Sequence, residues 1–167
     1  MLIILGGLPG VGKTTIAREI AKKLKAVHIR IDSIENAITK SSLNVDEAID
    51  SGYLVGYALA EDNLKLGMTV VADSVNPIEI TRNDWLAVAK RAGSKALQIE
   101  IICSDKNQHR NRVETRKSDI KELKLPDWQK VEARDYQPWN DTDLVIDSSK
   151  PVAESVEKVL EKINGGR

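Results

Sequence analysis

Phenylalanine is absent from the sequence and cysteine occurs once, at Cys103. A single thiol forms no internal disulfide, and no Cys or His set surrounds it at metal-ligand spacing, so a fold without covalent staples, suited to a reducing cytoplasm, is expected. Cys103 then reads as a small buried apolar residue. The two histidines, His28 and His109, also lack ligand-spaced partners and are expected in structural or surface roles. No stretch approaches the roughly 18 apolar residues of a membrane span. The apolar start at Met1 is too short for a signal peptide's hydrophobic region and lacks a basic flank, so neither a cleaved leader nor a membrane partner is expected. Net charge is missing as well, with 25 Lys and Arg against 25 Asp and Glu. Such a chain has no general basic field for holding nucleic acid, and a small-molecule partner is favoured instead. No repeat, low-complexity segment or linker-like run divides it. One domain over residues 1–167 is expected, burying roughly 70% of the surface its unfolded chain would expose.

Against these absences stands a glycine-rich turn, Leu5 to Thr15, set between an apolar run and an amphipathic one. Gly7, Gly12, Lys13 and Thr14 satisfy the pattern G-x-x-x-x-G-K-[ST], and Met1 to Leu5 is a short apolar strand of the buried parallel kind. Glycines suit the turn because its N–H groups have to reach phosphate oxygens through backbone conformations that side chains resist. Gly7, Pro9, Gly10, Val11, Gly12, Lys13, Thr14 and Thr15 are therefore expected to hold the phosphates of a nucleotide. Lys13 would meet the outer phosphates and Thr14 would offer its hydroxyl to Mg²⁺. The helix that follows would aim its unpaired N–H groups at the same anion.

Strands and helices then alternate. Ile16, Ile20, Ala21 and Leu24 share one face of a helix over Thr14–Lys25, and Ala26–Ile31 reads as a strand ending at Asp32. A short helix over Ser33–Thr39 comes next. Asn44 with Glu47 looks like a capping box opening a longer helix through Leu66, which Gly52 and Gly56 weaken. Met68–Asp73 is a third strand, and Thr81 with Asp84 a second capping box, opening a helix to Arg91. A strand over Ala96–Cys103, an arginine-rich helix over Asp105–Lys117, a connection over Asp119–Pro126 and a short helix over Asp127–Tyr136 follow. A strand over Asp143–Ile146 ends at Asp147, and a helix over Pro151–Ile163 precedes Gly165 and Gly166. The alternation predicts a three-layer α/β/α arrangement with a five-stranded parallel sheet, its carboxyl rim gathering Gly10, Asp32, Asp73 and Asp147.

Several residues near that rim have two readings. Asp32 suits a carboxylate that takes a proton from an acceptor hydroxyl, or a helix cap. Asp73 would hold Mg²⁺ directly or through water, bind an acceptor, or cap the turn to Pro77. Asn76 and Arg82 would line an acceptor pocket, or belong to a polar loop and an exposed helix start. Arg112 and Arg116, four apart on one predicted helix face with His109 a turn before, would stabilise a transferring phosphoryl group or form a solvated basic face. Trp85, Trp128 and Trp139, the last two flanking Arg134 and Tyr136, are expected in the core rather than stacked on a base.

Together the loop, Asp32, the Asp73-Ser74-Val75-Asn76 stretch and the paired arginines resemble the small P-loop kinases. Adenylate kinase, gluconate kinase, chloramphenicol phosphotransferase, the zeta toxins and the kinase half of polynucleotide kinase are similar in kind. The resemblance implies the P-loop NTPase fold of the nucleoside monophosphate kinases, with a short arginine-bearing lid over about residues 105–126. It also implies transfer of the γ-phosphate of Mg·ATP to a small-molecule acceptor, with Lys13, Asp32, Arg112 and Arg116 catalytic, Asp32, Asp73, Asn76 and Arg82 on the acceptor, and Thr14 and Asp73 on the metal. Polynucleotide kinases carry an arginine three residues after the aspartate, where this chain has Glu35, which counts against a 5′-hydroxyl nucleic-acid acceptor. The alternatives are a nucleotide or polynucleotide 5′-hydroxyl kinase and an ATP-hydrolysing regulatory module without an acceptor.

Overall fold

Apolar runs bounded by turn residues become strands buried on both faces, and the amphipathic runs between them become the helices that bury those faces. The computed structural model describes residues 1–165. Its elements, in order, are β1 Leu2–Gly6, α1 Lys13–Leu24, β2 Val27–Arg30, α2 Ile31–Thr39, α3 Ser51–Lys65 and β3 Val70–Asp73. They continue as α4 Glu79–Arg91, β4 Ala96–Ile102, α5 Lys106–Thr115, α6 Trp128–Glu132, β5 Leu144–Asp147 and α7 Val152–Gly165. The strands form the one parallel sheet that the alternation predicts, in the order β2-β3-β1-β4-β5. Register pairs Leu5 and Arg30 with Asp73 and Gly6 with Glu100, so the ends of β1, β2 and β3 finish level at one rim.

Period-two alternation splits the core. Ile3, Leu5, Val71, Ile99 and Ile101 meet Ile16 and Ile20 of α1 and Val156 and Val159 of α7 on one face. Leu2, Ile4, Val70 and Ala72 meet Tyr57, Ala60 and Leu64 of α3 and Trp85 and Val88 of α4 on the other. Among the described residues no helix packs closely on that second face beneath β4, where Gln98 and Glu100 point. Instead residues 136–143 strap across it: Tyr136 donates to Glu100 at 3.2 Å, Gln98 Nε2 donates to the Asp141 carbonyl, and Trp139 lies against Gly6.

Local signals misplaced several boundaries. Asn44 caps nothing; it stands at φ 53° in the left-handed region, and α3 begins only at Ser51. Leu43 and Ile49 are exposed, so residues before 51 offer no face that reaches the sheet. Thr81 lies inside α4, its hydroxyl donating back to the Ile78 carbonyl at 2.9 Å, and that helix starts at Glu79. α5 stops at Thr115, because the polar residues beyond it have no apolar stripe to bury; Asp105 is its cap, accepting from Gln108 N at 2.9 Å. α6 spans only Trp128–Glu132, capped by Asp127. The last helix runs through Gly165 rather than stopping at Ile163, and Gly166 lies outside the described residues. Gly56, read as a weakness in α3, is a close-packing position: a Cβ there would stand 2.5 Å from Ile31 Cδ1 and 3.4 Å from the Trp85 ring. Among the described residues no helix is long and apolar enough to cross a membrane.

Candidate active site

The strand-to-helix turn after β1 forms the expected cradle. Gly7, Gly10 and Gly12 stand at φ 138°, 86° and 100°, conformations that L side chains rarely adopt. Gly7 is further constrained because a Cβ on it would collide with the Ile101 carbonyl oxygen of the neighbouring strand. Val11, in mid-loop, is 2% exposed and anchored in the core beneath α1. Pro9 is held from outside, where its carbonyl meets His109 Nε2 of α5 at 2.9 Å. His109 is thus a buried strut of the loop, backed by the Trp128 ring at 5.1 Å between centroids. Thr14 and Thr15 open the first turn of α1, and no acidic side chain there opposes an incoming phosphate.

Lys13 is buried and donates to the Leu8 carbonyl at 3.0 Å. Desolvation pushes its ammonium down to about 8, opposed by Asp73 and Asp32 and reinforced by Arg116 and Arg134. These five charged groups, contributed by the loop, α2, β3 and the segments after α5 and α6, therefore share one site. Asp73 is almost fully buried at the end of β3 and pairs with His28 Nε2 at 3.2 Å, which gives His28 a role as its orienting neighbour. Asp32 is not a cap. β2 ends at Arg30, α2 begins at Ile31, and Asp32 is its second residue, about half exposed, 3.9 Å from Arg30 Nη2. Its carboxylate is thus not committed to the helix start.

Arg112 and Arg116 do not share a face. Arg112 Nη1 and Nη2 donate to the Ser148 hydroxyl at 3.1 Å and to its carbonyl at 2.8 Å, beside Gly12, whereas Arg116 lies past the helix in extended backbone. There the Asp32 carboxylate counters the desolvation of its guanidinium, and its Nε is buried without a hydrogen-bond partner. Arg134, which the sequence marks only by its aromatic neighbours, joins the same site from beyond α6.

Asn76 and Arg82, read as lining an acceptor pocket or as a polar loop and helix start, spend their side-chain hydrogen bonds on the protein itself. The fully buried Asn76 amide donates to the Leu5 carbonyl at 2.8 Å and accepts from Trp85 Nε1 at 3.1 Å. Arg82 donates to the carbonyls of Asn76, Pro77, Gln137 and Pro138, with Trp139 over its guanidinium at 4.6 Å, and so fastens the strap to α4. Asp147 at the rim is also fully engaged, accepting from the backbone N–H and hydroxyl of both Ser104 and Ser149.

Beside Asp32 the structure assembles groups that no motif announces. Glu35, one turn along α2, packs against Gly52 of α3, close to Arg134. Burial pushes its carboxyl up to about 7, Asp32 adds to the rise, and Arg134 opposes it. Tyr53 accepts from Asn76 N at 3.2 Å, and the buried Ser74 hydroxyl lies beside it. In the unfolded chain Glu35 loses its proton near pH 4.5, while the folded chain keeps it until about pH 7. Parent stability is thus expected to fall as pH rises across that window, and Glu35→Gln to remove the fall. Thermal melts should show the variant gaining on the parent from pH 5 to pH 8; parallel curves would count against a buried Glu35 carboxyl.

The residues present fit Mg²⁺, in that the Thr14 hydroxyl and the Asp73 carboxylate are hard oxygen donors placed at the loop's outer end and at the adjacent strand's end. Among the described residues no group of three or more His, Cys, Asp or Glu forms a metal cage, so the remaining ligands would come from water and phosphate.

A family model described as an AAA domain matches residues 2–136. Cytidylate kinase of Mycoplasmopsis agalactiae is 31% identical over 60% of this chain and 45% of its own length, so the chain matches less than half of that relative. A candidate kinase from Chloroflexus aurantiacus superposes with a TM-score of 0.76 at 18% identity, covering 99% of this chain and 97% of that one. The APS kinase of Mycobacterium tuberculosis, solved with AMPPNP and APS, superposes with a TM-score of 0.72 at 17% identity over 98% and 96% of the two chains. The sheet order, the cradle and the family match over most of the chain agree: it belongs to this AAA-domain family of P-loop proteins and has the fold of the small P-loop kinases.

Proposed function

We propose that the protein transfers the γ-phosphoryl group of Mg·ATP to a hydroxyl of a small-molecule acceptor. The observation that carries this reading is the convergence of Lys13, Arg116 and Arg134 with Asp32 and Asp73 beside the cradle. A switch or slow ATPase needs the cradle, but not a half-exposed carboxylate flanked by cations at the start of α2.

In the proposed step the Asp32 carboxylate takes the proton of the acceptor hydroxyl, whose oxygen bonds to the γ-phosphorus. The bond from that phosphorus to the β,γ-bridging oxygen breaks, and ADP leaves with the electron pair. Lys13 and Arg116 meet the charge on the transferring group, and Arg112, tied to Ser148 beside Gly12, steadies the nucleotide end. Bound Mg²⁺, held by Thr14 and Asp73, would supply charge neutralisation on the phosphates. The acceptor would lie between α2 and the end of β3, against Asp32, Glu35, Tyr53 and Ser74.

The test is γ-labelled ATP with separate pools of sugars, nucleosides, nucleoside monophosphates, antibiotics, APS and 5′-hydroxyl oligonucleotides. Label is expected on one small-molecule class. Asp32→Asn is expected to bind Mg·ATP like the parent and to transfer at least ~10²-fold more slowly, the range for a general base. Label on the oligonucleotides alone would select a polynucleotide kinase. Slow free phosphate unaffected by any pool would leave a nucleotide-hydrolysing module and overturn the proposal.

A further inference from the structure

A cavity lies outside the phosphate-transfer site, along the free edge of β2. The groove, of about 390 Å³, is lined by Val27, Ile29, Ile34 and Leu59 with His28, Ser33 and Asn63, and has Arg18 and Arg30 among its lining residues. Among the described residues β2 pairs only with β3, so this edge is covered by no further strand. Its volume is within the range of small-molecule sites, which are mostly apolar with a few convergent polar groups.

The two arginines are already bridged by an anion. Asp119, on the irregular segment between α5 and α6, accepts from Arg18 Nη2 and from Arg30 Nη1 at 2.9 and 3.0 Å. These donors hold its carboxyl down to about 2. Arg30 is 13% exposed while Asp119 is 48% exposed, so the cation is built into the fold and its counter-anion arrives from a surface segment. Arg30 Nε, moreover, is buried without a partner, leaving one donor that Asp119 does not satisfy. A half-exposed ion pair contributes little stability, so an external anion that also buries apolar surface in the groove can displace Asp119.

We propose that the β2-edge groove binds a small organic anion, a carboxylate or phosphate monoester carried on an apolar body, whose charged group replaces Asp119 between Arg18 and Arg30. The site bears on the phosphate-transfer rim at two points. Arg30 stands 3.9 Å from Asp32, and His28, in the groove wall, pairs with Asp73. An occupant that draws Arg30 into the groove loosens it from Asp32 and releases the 118–122 segment, which Lys40 otherwise also holds through Glu122 and the Lys121 carbonyl. The groove is thus an effector site rather than the acceptor pocket.

The experiment is calorimetric titration of the full chain, saturated with Mg·AMPPNP so that the phosphate loop is filled. The probes are hexanoate, hexyl phosphate, hexanol, acetate and inorganic phosphate, against the parent, Asp119→Asn, Arg30→Gln and the more exposed Arg18→Gln. Hexanoate or hexyl phosphate is expected to bind Asp119→Asn at least ~10-fold tighter than the parent, and Arg18→Gln and Arg30→Gln at least ~10-fold more weakly, the scale of one charge-assisted contact. The tighter of the two selects carboxylate or phosphate as the natural head group. Should Arg30→Gln fail to fold, Arg18→Gln decides. Hexanol binding as tightly as hexanoate, acetate or phosphate binding as tightly as either hexyl anion, or no response to Asp119→Asn would each overturn the proposal. Failure of AMPPNP to bind would count against the proposed function instead, and the titration without nucleotide would still test the groove.

Discussion

Arg116→Ala is expected to lower kcat by about 10³-fold, the lower end for an arginine stabilising a transferring phosphoryl group, with little change in Mg·ATP affinity. Arg112→Ala is expected to do the reverse, raising KM for ATP with a much smaller effect on kcat. The contrast rests on where the two guanidinium groups are held. Arg112 spends its donors on Ser148 beside the cradle, and a group locked to the protein cannot swing onto charge that develops during transfer. Arg116 keeps an unpartnered buried Nε and faces Asp32. Leaving that donor unmade costs free energy in the resting protein, and a phosphoryl group passing between ATP and an acceptor at Asp32 is the anion that would satisfy it. Steady-state kinetics on the acceptor found in the label screen, together with nucleotide binding measured at equilibrium, separates the two effects. Equal losses from both variants would return Arg112 and Arg116 to the shared role that their spacing suggests, and a silent Arg116→Ala would remove it from the transfer step.

Trp85→Ala is expected to destabilise the protein by about 3–5 kcal/mol, the range for truncating a fully buried aromatic residue. Trp85 is completely enclosed, packed edge-on to Tyr57 with centroids 4.6 Å apart and seated over Gly56. It also donates to the Asn76 side chain at 3.1 Å, and that same side chain reaches the Leu5 carbonyl at the end of β1. Alanine therefore opens a cavity between α3 and α4 and orphans an acceptor beneath the phosphate loop. Trp85→Phe restores most of the volume but not the donor, and should cost about 1–3 kcal/mol, the penalty for one unsatisfied buried acceptor. Urea unfolding of the three proteins measures both values. A phenylalanine variant as stable as the parent would show that the hydrogen bond to Asn76 contributes nothing net.

The functional consequence of that frame is positional. Asn76 stands at φ 49°, and its side chain ties the turn after β3 to the end of β1, so Asp73 and Ser74 hold their place relative to the cradle. Asn76 and Arg82, which a rim-based reading assigns to an acceptor, are hydrogen-bonded into the frame that holds the rim. Polar side chains at a strand's carboxyl end look alike in sequence whether they face a ligand or the backbone, and only their hydrogen-bond partners separate the two. The same ambiguity explains Arg82, whose charge suggests substrate but whose donors go to main-chain carbonyls.

Much was legible without coordinates, and for a local reason. The cradle is specified by neighbours in the chain: glycines at fixed offsets, one lysine and one threonine, an apolar strand before and an amphipathic helix after. Strand alternation and helical periodicity are likewise short-range, so a parallel sheet with helices on both faces follows from them. Boundaries such as Asn44 against Ser51 were misjudged because a capping pattern is realised only where the helix behind it can bury a face. The grouping of Lys13, Asp32, Glu35, Asp73, Arg116 and Arg134, the disengagement of Arg112, and the groove with its Asp119 counter-anion were decided by tertiary structure. Each joins residues far apart in the chain, and their burial and charge arise only once the sheet has brought β2, β3 and the segments after α5 and α6 to one rim.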